Sequence, residues 1–204
     1  MGAKRLLVLT FSALTLLAAA AWAGNPGQPG EGGEKSAKDY SKLPGYVEFA
    51  ALDIFGQQEP KVEIYLEEPL INLVSKFVQS EDEELYSVLR KLKLVRVQVF
   101  DVTEELAAQF IDRSAKAVKN LDKQGWQRIV RVKDEGEHAY IYLKPAADYE
   151  SIDGILVIAV EEGENEAVFV NIVGNINPDD VSRLGGHFNI EELDSIRYEV
   201  KQRN

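Results

Sequence analysis

From Gly125 to Asn175 the chain abandons helical spacing and offers four strand patterns in succession, and no other feature restricts its fold so much. The segments 126–133, 137–144, 152–161 and 166–175 are separated by Asp134-Glu135-Gly136, by Pro145-Ala146-Ala147-Asp148 and by Glu162-Gly163-Glu164-Asn165. Gly, Pro, Asn and Asp at such breaks punctuate strands, and two of the breaks read as tight hairpin turns. Residues 155–160 are continuously apolar, which suits a central strand covered on both faces.

Upstream, residues 61–66 alternate, with Val62, Ile64 and Leu66 on one side and Lys61, Glu63 and Tyr65 on the other, the period of a half-buried strand. Pro69 suits the first turn of a helix whose stripe reads Leu70, Leu73, Val74 and Phe77. A second helix opens with Ser80 as cap and Glu81, Asp82, Glu83 and Glu84 at its positive end, and carries Leu85, Val88, Leu89 and Leu92. Residues 93–102 alternate again. Thr103-Glu104-Glu105 begins the longest helix, striped by Leu106, Phe110, Ala117, Val118 and Leu121 and ending near Gly125. Asn177-Pro178-Asp179-Asp180 starts a last helix that Gly185-Gly186 stops. This order predicts an α+β domain over 44–204, a mainly antiparallel sheet of about six strands with helices packed on one face.

The N-terminus sets the address. Lys4 and Arg5 precede an apolar run over 6–20, and Ala21-Trp22-Ala23 supplies the small-x-small pattern of a signal peptidase site, so cleavage is expected between Ala23 and Gly24. The run is shorter than the roughly 20 apolar residues of a spanning helix, although an uncleaved anchor is the alternative. The product expected is periplasmic or extracellular, without a membrane span after cleavage. Residues 24–43 are rich in Gly, Pro and charge, the composition of a disordered linker. The chain has no cysteine, which excludes disulfides, thiol nucleophiles, Cys-ligated zinc and lipid attachment at the cleavage site. Net charge is −11, and −13 once Lys4 and Arg5 are removed, a balance that opposes nucleic acid and anionic lipid and favours solubility or a basic partner.

No catalytic, cofactor-binding or metal-binding constellation is assembled in the sequence. His138 and His187 are the only imidazoles and neither sits in a nucleophile motif; a surface or boundary position accounts for each. Glu161, Glu162, Glu164 and Glu166 surround a hairpin, and Asn175, Asn177, Asp179 and Asp180 surround a helix start, but neither set matches a calcium loop. A solvated turn and a dipole-matched cap account for them. Tyr140 and Tyr142 share one face of a strand beside Trp126. Left uncovered by helices, these three would form a contact surface; core or cross-strand packing explains the same pattern.

The leader, Gly45-Tyr46-Val47-Glu48-Phe49, Val62-Glu63-Ile64-Tyr65-Leu66 leading into a helix, residues 94–100, and Val170-Asn171-Ile172-Val173-Gly174-Asn175-Ile176 before Pro178 together resemble the DUF4252 family of exported bacterial proteins. The likeness covers about 45–195. It implies a single α+β envelope domain with no catalytic residues to carry over, in a family that accompanies stress-responsive sigma-factor systems. The function expected is an exported, non-enzymatic interaction or regulatory module with a protein partner in the envelope. A small-ligand binder or an enzyme with a site assembled from distant strands is the alternative, and it requires an enclosed cleft.

Overall fold

Six segments, some alternating and some continuously apolar, become the strands of one sheet: β1 (Val62–Glu67), β2 (Leu92–Asp101), β3 (Gln127–Asp134), β4 (Glu137–Pro145), β5 (Ile152–Glu161) and β6 (Glu166–Ile176). The computed structural model describes residues 38–52, 54, 58–134, 137–161, 165–177 and 179–180. Strand order is β1-β2-β6-β5-β4-β3, with every neighbouring pair antiparallel. β3 to β6 form a meander, and β6 then pairs with β2, which carries β1 on its outer side. The α+β class and the six-stranded antiparallel sheet are those the spacing predicts.

Three helices make the long connections. α1 (Glu68–Val78) and α2 (Glu83–Leu89) join β1 to β2, and α3 (Glu104–Lys123) carries the chain from β2 to the far edge at β3. α1 opens with Pro69 in its first turn, where a missing N–H costs little. The cap of α2 is Asp82 rather than Ser80: its carboxylate accepts from the Leu85 N–H at 2.8 Å. Thr103 caps α3, and Gly125, at φ 80°, turns the chain out of it.

The helices divide between the two faces of the sheet, which corrects the expected one-sided packing. Ile71 of α1 and Leu89 of α2 join Val95, Val97, Val99, Val168 and Val170 in one apolar cluster. Ala107, Ala117 and Leu121 of α3 join Phe100, Phe169, Leu156 and Ile158 in another. Successive strand residues point to opposite faces, so β5, with Ile155 and Ala159 on one side and Leu156, Ile158 and Val160 on the other, needs cover on both.

The α3 face has a second cover. Residues 43–52 and 54 lie over the sheet as a strap whose Val47, Phe49, Leu52 and Ile54 are buried. Phe49 packs on Phe169 with ring centroids 5.1 Å apart, and Phe100 meets Phe169 edge-on at 5.9 Å. The strap crosses β5 at two glycines: a Cβ on Gly45 would lie 2.0 Å from the Asp153 carbonyl oxygen, so no larger residue fits. Residues 38–43, which composition assigns to the linker, are also ordered. Asp39 caps a 3-10 turn at Tyr40–Lys42, and Tyr40 is buried against Leu94 and Val173. One aromatic side chain supplies the burial that the surrounding Gly-rich composition lacks.

Candidate interaction surface

α1 is apolar over more of its circumference than the sheet can cover. Ile71, Val74 and Ser75 face inward and are buried, while Leu70, Leu73 and Phe77, at positions i, i+3 and i+7, are 50 %, 52 % and 63 % exposed. Of the stripe read from spacing, only Val74 lies in the core. Ile71 and Val78 widen the apolar arc of the sequence beyond one packing face.

The helix that carries this stripe is fixed at its start and along its flank. Glu68 accepts from Lys38 Nζ at 2.8 Å and from Lys93 Nζ, linking α1 to the N-terminal segment and to β2. These two hydrogen bonds, Lys38 first, hold the Glu68 carboxyl below the usual carboxylate range. Arg90 Nη1 donates to Asn72 Oδ1 at 3.0 Å and ties α2 to α1. Leu70, Leu73 and Phe77 are therefore presented on a positioned helix, a geometry suited to taking up an apolar partner surface.

The trio Trp126, Tyr140 and Tyr142, read as a contact surface if left uncovered, lies in the core instead: the three are 2 %, 5 % and 0 % exposed beneath α3. Burial pushes the Tyr142 phenol up, with the neighbouring Arg128 guanidinium opposing. His138, read as a surface or boundary residue, is likewise buried, on the same face and opposite Val160. Ala21, Ala23 and Gly24, His187 and the Gly185-Gly186 helix stop lie outside the described residues.

A buried polar pair on adjacent strands clamps the strap. Asn171 of β6, fully buried, accepts from the Val47 N–H at 2.9 Å and donates to the carbonyls of Gly45 at 2.9 Å and Ile155 at 3.2 Å. Its register partner Arg96 donates through Nη1 to Tyr46 Oη at 2.7 Å and to the Val47 carbonyl at 3.3 Å. The Arg96 guanidinium also lies 4.8 Å from the Phe49 ring centroid, a cation–π contact at a buried position. Tyr46 donates to Glu48 at 2.7 Å, and burial, reinforced by that bond, pushes its phenol up to about 12.

The acidic helix start after β6 is a cap held by an ion pair. Asp180 N–H donates to Asn177 Oδ1 at 2.8 Å, Asn177 N–H donates to Asp180 Oδ2 at 3.0 Å, and Lys91 Nζ reaches the buried Asp180 carboxylate at 2.7 Å. Among the described residues no group of three or more His, Asp or Glu side chains is placed to hold a metal ion. None of their helices is long and apolar enough to cross a membrane. A recess of about 360 Å³ opens between the strap and α3, lined by Ala51, Leu52, Arg113, Lys116, Ala117 and Asn120.

Comparison with curated proteins and with solved structures finds no match. One family model, described as a domain of unknown function, matches residues 55–184, a span that holds the six strands and α1, α2 and α3 of the described residues. The chain belongs to that family, DUF4252.

Proposed function

We propose that this protein is an exported, non-enzymatic interaction or regulatory module of the bacterial cell envelope, linked to envelope stress signalling and engaging a protein partner through α1. The export half of the reading rests on the charged and apolar leader with its Ala21-Trp22-Ala23 site. One observation carries the interaction half: Leu70, Leu73 and Phe77 stand outward on a helix already anchored through Ile71, Val74 and Glu68. An exposed apolar row on a fixed helix is disfavoured in a solitary domain and favoured where a partner covers it.

Capture from a crosslinked envelope fraction tests this reading. The wild-type chain should retain a defined protein that Leu73→Ser/Phe77→Ser loses, with both proteins equally folded by circular dichroism. Equal recovery by the two, or recovery of nothing, contradicts it. Mass spectrometry of the exported protein should show Gly24 at the N-terminus; an intact Met1 would instead make the leader an anchor.

A small-ligand binder is the second reading, favoured by the recess of about 360 Å³ between strap and α3, a volume within the range of ligand sites.

A further inference from the structure

Charge is unevenly divided along the chain. Residues 113–133 hold seven basic side chains and one acidic, Asp122, a local balance of +6 that leaves −17 on the remainder of a chain of net −11. The fold gathers these cations on one side. Lys116, Lys119 and Lys123 are exposed along α3, and Arg128, Arg131 and Lys133 are exposed on β3, the edge strand into which α3 leads. Arg128 opposes Tyr142 and Arg131 opposes Tyr140, so both stand on the α3 face of the sheet. Lys144 of β4, the strand beside β3, donates to the Gln124 carbonyl at the end of α3.

Several cations elsewhere are paired with neighbouring acids. Lys38 and Lys93 meet Glu68, Lys61 meets Asp101 and Glu166, and Lys91 meets Asp180. Among the described residues, none of the six exposed cations on α3 and β3 has an ion-pair partner. Lysine near a helix C-terminus complements the dipole, and charge on an edge strand deters pairing with other chains. Those needs are met by Lys123 and one residue of β3, and Arg128 lies over the Tyr140 ring, 6.0 Å from its centroid; the other cations of the row are left unexplained.

An anionic partner fits such a face, and the side chains among the cations narrow its kind. Ile129 protrudes from the β3 bulge between Arg128 and Arg131, 38 % exposed. Tyr149, on the turn that follows Lys144, is 80 % exposed and held outward at φ 59°. Cations with a protruding aliphatic and a protruding tyrosine match the headgroup layer of a bilayer, where lysine and arginine meet phosphate and tyrosine sits at the interface. The recess at Arg113, Lys116 and Asn120 opens between α3 and the strap, with room for one phosphate headgroup.

We infer that the α3–β3 face is a docking surface for anionic phospholipid bilayers. α1 lies on the opposite face of the sheet, so its stripe stays free while the protein rests on lipid. The inference rests on neither the leader nor the α1 stripe.

Vesicle co-sedimentation of the full-length chain tests it, with phosphatidylcholine alone and with phosphatidylcholine mixed with phosphatidylglycerol. Neutral vesicles report any partition through the apolar leader, which every variant retains. The expected result is added binding to the anionic vesicles that weakens as salt is raised. Lys119→Glu/Lys123→Glu/Arg131→Glu, all exposed positions, should lower that added binding at least ~100-fold, since each basic residue near an anionic surface contributes about a factor of five. Lys76→Glu on α1 should leave it unchanged. Equal binding to both vesicle types, or a triple variant that binds as the wild type does, would overturn the inference. Retention on a poly-glutamate column without vesicle binding would also overturn it and assign the face to an acidic protein.

Discussion

Asn171 and Arg96 are polar side chains inside an otherwise apolar face, and what they hold is the strap. Removing the Asn171 amide strands the Val47 N–H and the Gly45 carbonyl in a buried site, and such orphaned groups each cost about 1–3 kcal/mol. Asn171→Ala should therefore lose about 3 kcal/mol in urea unfolding, and a loss below about 1 kcal/mol would show that the strap is held by packing alone. Tyr46 gives a second test. Its folded pKa of about 12 lies above the ordinary value of 10.0, so the folded state holds the proton more tightly than the unfolded chain. The stability this contributes is complete below pH 10 and is lost as pH rises from there through about 12. Thermal unfolding across that window should decline less steeply in Tyr46→Phe than in the wild type; parallel profiles would contradict the assignment. Glu68 has the opposite sign. Its depressed pKa adds stability above the ordinary value of 4.5 that disappears as pH falls through the lower folded value, and Glu68→Gln should remove that part of the acid sensitivity.

At the scale of elements, α1 makes the sharpest forecast because its two apolar sides should behave differently. Ile71→Ala, emptying a fully buried site, should cost about 2–5 kcal/mol. Leu70→Ser and Phe77→Ser should stay within about 0.5 kcal/mol of wild type by urea unfolding, the range of surface substitutions. Large losses at Leu70 or Phe77 would place those side chains in a packed interior. The same helix shows how far the elements could be read from sequence. The strands were legible because alternation in 61–66 and 93–102, and the turn residues between 126 and 175, carry both period and punctuation. The orientation of α1 was not, since an arc containing Leu70, Ile71, Leu73, Val74, Phe77 and Val78 has no single apolar side from which to choose. For Tyr140 and Tyr142 the sequence offers both core packing and an exposed contact face, for a related reason. Their face is aromatic and looks amphipathic, and its cover comes from the crossover of α3 from β2 to β3 and from the strap. Tyr40 escaped because one aromatic in a Gly-rich, charged stretch does not alter its composition.

The whole molecule is a sheet with two unlike sides. One is covered by the short helices α1 and α2, with an apolar row on the outside; the other is covered by α3 and the strap, with a basic rim along β3. The family match begins at residue 55, yet the strap before it buries Phe49 against Phe169 and satisfies Asn171. A chain trimmed to 55–204 should therefore be at least about 3 kcal/mol less stable than one beginning at Gly24, as expected when a large aromatic leaves a core. Matching urea midpoints would show the strap to be dispensable. The account stands or falls on α1 as a contact element. Its most direct test is a photo-crosslinking amino acid placed in turn at positions 73 and 77, and at exposed Glu63 as control, in cells that export the protein. Discrete adducts from 73 and 77 with none from 63 are predicted. Adducts absent from α1, or equally frequent at Glu63, would contradict it.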